Sequence, residues 1–283
     1  MQMKSILFLL VFATSIISCK EVLEVYKPTA VSAKDSSFVS AVIESPQLKN
    51  VLIEEYTGVK CQNCPTGHKI VADIQAANPE RVLSIRLHSS LQSSVYPYST
   101  QDLFTDEAEA LHQRFQISSK PSAVIDRVPF NGVLQLGRTN WTPAVTERLK
   151  KTSPVNIHIE NSYNADSLKL ETKVKLHFTD DVTDKLNFSV FLIENNIVTP
   201  QTLPSFDTDT FYNHQHVFRK MIGGSTDGIS INDSTTKGRT IVKYFYTYFK
   251  SIYKPENMKT VVAVSKSGSD NEVIHCEEGS VKK

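Results

Sequence analysis

Val51-Leu-Ile-Glu-Glu-Tyr-Thr-Gly-Val-Lys-Cys61-Gln-Asn-Cys64-Pro-Thr-Gly-His68 is the stretch on which the reading of this chain turns. It opens with an unbroken apolar run, the pattern of a strand covered on both faces. Beyond the cysteines, Gly67, Ile70, Val71 and Ile74 recur at helical spacing, and Asn78-Pro79 marks the stop. The pair Cys61-Gln62-Asn63-Cys64 therefore sits where a buried strand hands over to a helix. At a helix start, unpaired N–H groups and the macrodipole favour a thiolate, which makes Cys61 the attacking sulfur. Cys64, one turn further in, is the less exposed of the two and the one expected to resolve a mixed disulfide. Lys60 adds a nearby positive charge.

Working outward, a second strand is expected at Val82 to Leu87, followed by a polar inserted loop from Ser89 to Thr105. Asp106 with Glu109 forms a capping box for a helix carrying Ala108, Leu111 and Phe115 on one face. Ser122 to Val128 reads as a strand and Asn131-Gly132 as a hairpin turn returning through Val133 to Leu136. Thr142 as N-cap with Pro143 in the first turn begins a last helix. After Thr152-Ser153-Pro154 the pattern changes. Leu168, Leu170, Thr172, Val174, Leu176 and Phe178 alternate with polar residues, the signature of a half-buried strand. Further strands follow at Leu186 to Glu194, Arg239 to Phe249, Met258 to Lys266 and Glu272 to Glu277. The expected architecture is an α/β unit over 49–152 and an all-β unit over 153–283, a β-sandwich of immunoglobulin-like kind, with two separate cores and few contacts across 152–155.

Upstream, residues 19–48 read as a tether that contributes an edge strand near Val22 to Tyr26. Residues 1–18 have the form of a signal peptide: Lys4, an apolar run from Ile6 to Ile17 too short to span a bilayer, and Ser18 before Cys19. Ile16-Ile17-Ser18-Cys19 resembles the bacterial lipobox, which implies an acylated Cys19 and a membrane anchor of several acyl chains, palmitate among them. Composition agrees with a globular exported chain: 40% hydrophobic and 22% charged residues, with 12 Pro and 10 Gly. With 31 basic against 30 acidic side chains the net charge is +1, which gives no broad surface for nucleic acid. Of the cysteines, Cys61 and Cys64 are expected to oxidise outside the cytoplasm, and Cys276 is left as a buried small hydrophobe.

Over roughly Asn50 to Lys151 the residues resemble the thioredoxin fold, through Cys61-Gln-Asn-Cys64, the element order, and Ser119-Lys120-Pro121-Ser122 directly before a strand. The resemblance implies a cis-proline at Pro121, opposite the cysteines and beside a bound peptide. It also implies a buried acid at Glu55 able to accept the proton of Cys64, with Glu54 competing for the inward side. The tryptophan usual before the first cysteine is absent, and Gln-Asn replaces Gly-Pro. Three readings of the pair stay open: a redox centre of Cys61, Cys64, Pro121 and Glu55, a structural disulfide, or a metal site of Cys61, Cys64 and His68, which lacks a fourth ligand. No cofactor is expected.

A wider match spans the mature chain. The lipobox, Glu-Glu-Tyr-Thr-Gly before Cys-x-x-Cys-Pro-x-Gly-His, Tyr212-Asn-His214-Gln-His216-Val-Phe-Arg219 and Val273-Ile-His-Cys276-Glu-Glu resemble the Bacteroidetes outer-membrane lipoproteins named for an outer-membrane protein of roughly 28 kDa. The resemblance implies an outer membrane location with Cys19 as anchor. Lys20-Glu21 partly matches the surface-export signal of such bacteria, and Val22 breaks it. His214 and His216 are expected to share a strand face, as a structural pair or as metal ligands, and Lys243 to Phe249 offers an aromatic face. Two function classes follow: thiol-disulfide exchange on exported proteins, or a non-catalytic surface binding or assembly lipoprotein that keeps the fold as scaffold. The sequence carries no statement of oligomeric state.

Overall fold

The computed structural model describes residues 34–90, 92–268 and 270–282, and the lipidation expected at Cys19 and the strand expected near Val22 to Tyr26 lie outside them. Among the described residues the chain is mostly β with three α-helices. Its first part holds strands β1 (Ser36–Val39), β2 (Val51–Thr57), β3 (Val82–His88) and β4 (Ser122–Ile125), with helices α1 (Cys64–Ala77), α2 (Asp106–Arg114) and α3 (Trp141–Arg148). The second part begins with β5 (Val155–Asn164), β6 (Lys169–Phe178) and β7 (Leu186–Glu194). Short ribbons β8 (Ile197–Val198), β9 (Gln201–Thr202), β10 (Thr208–Asp209) and β11 (Asn213–His214) follow. The chain ends on β12 (Val217–Ile222), β13 (Ile229–Ile231), β14 (Arg239–Tyr248), β15 (Met258–Lys266) and β16 (Val273–Ser280).

These strands do not divide at residue 153. An eight-stranded sheet runs in the order β16-β15-β7-β12-β3-β2-β4, with β13 paired to β7, and crosses from the second part of the chain to the first where β12 lies parallel to β3. That crossing is narrow: Val217 pairs with Arg86, and the Arg86 N–H donates to the His216 carbonyl at 2.8 Å. Alternating residues of the sheet build different cores on its two faces. On one face, Leu52 and Tyr56 of β2, Ile85 of β3, Phe191 of β7, Phe218 of β12 and Val261 of β15 form a single buried cluster under α2. On the other face, Val51 and Ile53 pack against α1, α3 and Trp141. Further along that face, Phe188, Val190 and Val262 meet Leu170, Val174 and Phe245 of a second, four-stranded sheet ordered β1-β14-β6-β5.

The expectation of two separate cores is therefore corrected: one hydrophobic cluster draws on both parts of the chain, because pairing β12 with β3 lets the sheets share a face instead of exposing two edges. The tether is shorter than its expected range 19–48. Ser36–Val39 is already a strand on the β14 edge, and Gln47 is held by Asn156 and Ile157. Smaller differences concern helix starts. Thr105, not Asp106, caps α2 by accepting the Ala108 N–H, and α3 begins at Trp141, one residue before the expected Thr142 cap.

Candidate functional site

Parallel pairing of β2 and β3 places Glu55 opposite Arg86 and Thr57 opposite His88. The chain leaves β2 through Gly58, where a Cβ would lie 2.7 Å from the Gln92 carbonyl oxygen, so only glycine fits the crossing. It then turns through Cys61 into α1. The Cys61 N–H donates to Gly58 O at 3.0 Å, and Cys64 N–H to Cys61 O at 3.2 Å. Cys61 and Cys64 are joined in a disulfide.

The expected difference in exposure is absent: Cys61 is 2% exposed and Cys64 fully buried. The cover comes from the second part of the chain. Gln201 of β9 donates through Nε2 to the carbonyls of Gly58 (3.2 Å) and Cys61 (3.0 Å), and the Thr202 N–H donates to Val59 O at 2.8 Å. From the inserted loop, Gln92 O accepts the Lys60 N–H at 2.7 Å, and the Tyr96 ring lies under the Lys60 ammonium and hydrogen-bonds Thr202.

Glu54 and Glu55 are both buried and point to opposite faces of β2. Glu54 takes a bidentate pair from Arg127, Nε and Nη2 each at 2.8 Å. Glu55 is on the α1 side, as its place 3.1 Å from a Cβ built on Gly67 shows, and there it accepts Arg86 Nε on Oε2 at 2.9 Å. Its Oε1 has no hydrogen-bond partner, and burial raises the carboxyl pKa against the opposing pull of Arg86. Pro121 follows a cis peptide bond, and its Cβ and the Trp141 ring confine Gly67 from the other side. The chain's one tryptophan thus packs beneath α1, with Nε1 donating to Leu136 O at 2.9 Å. Lys120 donates to the carbonyls of Ser89 and Ser90, and burial lowers its ammonium to about 7.

Around Glu55 and the disulfide stands a group of histidines that sequence spacing did not assemble. His68 contacts the Thr57 hydroxyl through Nε2 (2.9 Å) and the Tyr212 hydroxyl through Nδ1 (2.7 Å). The His214 ring lies 6.4 Å from His68 and 5.6 Å from His88. Both His88 nitrogens and His214 Nδ1 are buried without a partner. Burial holds all three below the ordinary histidine range, His214 at about 3, and Arg86 adds to the effect. His214 and His216 do not share a strand face as expected. His214 belongs to β11, whereas His216 lies outside any strand with φ 56°, where the chain turns into β12. The metal alternative on Cys61, Cys64 and His68 does not hold either, since the cysteines are bonded to each other and both His68 nitrogens are engaged. Among the described residues no group of three or more His, Cys, Asp or Glu side chains is arranged for a metal. Cys276 is a buried free thiol, its pKa raised by burial. The motif Tyr212-Asn-His214 was the available signal for this cluster; His88 and Gln201 carried none.

A long mixed sheet with a strand–CxxC–helix turn leaving its next-to-last strand, β2, and no helix among the described residues long and apolar enough to cross a membrane, defines the class structurally. The family described as Outer membrane protein Omp28 matches residues 108–283, and the chain belongs to that family; its place is the outer membrane. Two solved structures are similar in fold. HBP35 of Porphyromonas gingivalis aligns with a TM-score of 0.68 and 17% identity, over 85% of this chain and 77% of that one. Protein AGR_C_4864 from Agrobacterium tumefaciens aligns with a TM-score of 0.54 and 10% identity, over 84% and 97%. Comparison with curated proteins finds no match.

Proposed function

We propose that this chain is an outer-membrane lipoprotein anchored through Cys19, in which a thioredoxin-like unit (49–152) and an immunoglobulin-like β-sandwich (153–283) share one sheet and form a non-catalytic binding or assembly scaffold. The observation that carries this reading is the cover on the disulfide. Cys61 is 2% exposed, and its carbonyl and that of Gly58 are occupied by Gln201, so β9 is fastened to the turn that holds the disulfide and little of the cysteine is open to an attacking thiol. A disulfide closed over so few residues removes little chain entropy, so its role is to fix the turn into α1. Thiol-disulfide exchange with exported proteins is the second reading. It is supported by the placement of the pair at the start of α1, whose Gly67 is confined by both Pro121 and a buried acid, Glu55, that keeps one oxygen unpartnered. In that case Cys61, Cys64, Pro121 and Glu55 are the working residues.

Trapping separates the two. Under the scaffold reading, Cys64→Ser and Cys61→Ser behave alike, capture no client in mixed disulfides on non-reducing gels, and the reduced native protein alkylates slowly at both sulfurs. Accumulation of mixed disulfides by Cys64→Ser alone would instead establish exchange. The anchor is tested by metabolic lipid labelling, which Cys19→Ala should abolish while moving the protein to soluble fractions.

A further inference from the structure

Outside the disulfide region, one surface carries an arrangement that packing does not account for. Strand β1 is bonded along one edge to β14, yet all four of its residues are exposed. Register assigns Phe38 to the outer face of the four-stranded sheet, since it is opposite Thr240, which is opposite His177, and the inner face of β6 is Leu170, Thr172, Val174, Leu176 and Phe178. The segment after β1 then crosses this outer face. Glu44 reaches His177 through its N–H (3.1 Å), and Lys175 and His158 through its carboxylate (each 2.7 Å). Along this crossing Phe38 is 48%, Val42 73% and Ile43 49% exposed. Further along β14, beyond its pairing with β1, the alternation brings Tyr244, Tyr246 and Tyr248 to the same face.

Lysines stand among the tyrosines. The Lys34 ammonium lies 5.2 Å from the Tyr244 ring centroid, and that of Lys169 lies 4.2 Å from Tyr246. Their charge is close to balanced, Lys34 pairing with Glu171 and Lys173 with Glu160. Exposed aliphatic and phenyl groups, a column of tyrosines and snorkelling lysines without strong net charge are the chemistry of a surface that sits in a headgroup layer. Lys34 is also where the described chain begins, fifteen positions after Cys19. Extended chain of that length reaches at most about 50 Å, so acyl chains on Cys19 hold this face near the bilayer at high effective concentration.

We infer that the outer face of the β1-β14-β6-β5 sheet, with Phe38, Val42, Ile43 and the Tyr244–Tyr248 column, rests on the phospholipid headgroup layer and sets which side of the protein faces the membrane. The inference rests on the lipoprotein reading for its geometry, but its test does not use the lipid anchor. Mature chain carrying Cys19→Ala is mixed with vesicles of phosphatidylethanolamine and phosphatidylglycerol, and the bound fraction is measured by flotation. The protein should bind weakly, with modest loss in high salt, and Phe38→Asp together with Val42→Asp should weaken partition by about tenfold or more. Both positions are exposed, so folding is not at stake; Phe206→Asp with Phe211→Asp, at 74% and 81% exposure elsewhere, should leave binding unchanged. No binding by the Cys19→Ala protein, or equal loss in both double variants, overturns the inference. So does vesicle-free self-association abolished by the Phe38/Val42 pair, which assigns the face to a second copy of the chain. Failure of lipid labelling at Cys19 would count against the anchor alone, because vesicle binding is read on protein without acyl chains.

Discussion

The two ends of strand β2 bury similar amounts of charge and treat it differently. At its start, Asp126 accepts Lys49 Nζ at 2.6 Å, Arg148 Nε at 2.8 Å and the Leu52 N–H at 2.9 Å, while Arg148 goes on to Glu272 at 2.5 Å. None of these side chains keeps an unpartnered buried polar atom. At its end, Glu55 Oε1, both His88 nitrogens, His214 Nδ1 and Gln201 Oε1 are all buried without a partner. A satisfied network rigidifies the fold, whereas orphaned polar atoms raise the free energy of the region that holds them. The lower end is a clamp between the two parts of the chain; the upper end, where the chain leaves for the disulfide turn, carries the orphaned polar atoms.

The most severe way to break this contrast is Asp126→Ala, which leaves two buried cations without their shared acceptor. Urea unfolding should show a loss of about 3–5 kcal/mol. Glu55→Gln, which keeps an acceptor for Arg86, should cost less than about 2 kcal/mol; equal losses would erase the distinction.

Acid should act next, and at the upper end first. A histidine whose folded pKa lies below the unfolded value of about 6.5 stabilises the fold above that pH and loses its contribution as pH falls toward the folded value. For His214, held at about 3, the loss amounts to about 2 kcal/mol by pH 5. His68, His88 and His216 are shifted in the same direction, with the raised carboxyl of Glu55 opposing them. At the lower end, His275 at about 3 neighbours Glu277 at about 7, and the two work against each other on acidification. Hydrogen exchange at pH 5 should therefore rise around residues 201–216 before it rises around Asp126.

A tighter probe is Gly67→Ala. Its Cβ would meet Trp141, Pro121 and Glu55 at 3.0–3.1 Å, so these neighbours must give by a few tenths of an ångström, and with the gain in helix propensity offsetting part of the crowding the expected net loss in thermal or urea unfolding is about 1–2 kcal/mol. Cys64→Ser should lower stability by less than about 2 kcal/mol, because the closed loop is short. Smallest of all should be His88→Leu, within about 1 kcal/mol of neutral or mildly stabilising, because neither of its nitrogens has a bond to lose. A large destabilisation there would show that both nitrogens are engaged in the native protein.

Much of this was legible in sequence where pattern and structure share a cause. Leu186–Glu194 and Met258–Lys266 emerged with their observed limits because covered strands are written as apolar runs. The CxxC turn and α1 were found by local spacing, and Glu55 and Pro121 through the resemblance to the thioredoxin fold. What escaped was set by distant partners. Strand β5 pairs along all of β6, but its sequence after Ile157 is largely polar because that half is only partly covered. Glu54 and Glu55 were indistinguishable until Arg127 and Arg86 chose opposite faces of β2. Gln201 could not be read as the cover of Cys61, since only the sheet's path brings it back over the turn.

The crossing from β3 to β12 also dictates a timetable. Arg86 meets Gln215 across 129 positions of chain, so Cys61 and Cys64 emerge from the ribosome and from any export channel long before Gln201, Tyr212 and His214 exist to shut them in. During that interval the two thiols are open to whatever oxidises nascent chains, and the last third of the sequence then seals the product. In the folded protein, access of another thiol to the pair then depends on local opening of this part of the chain.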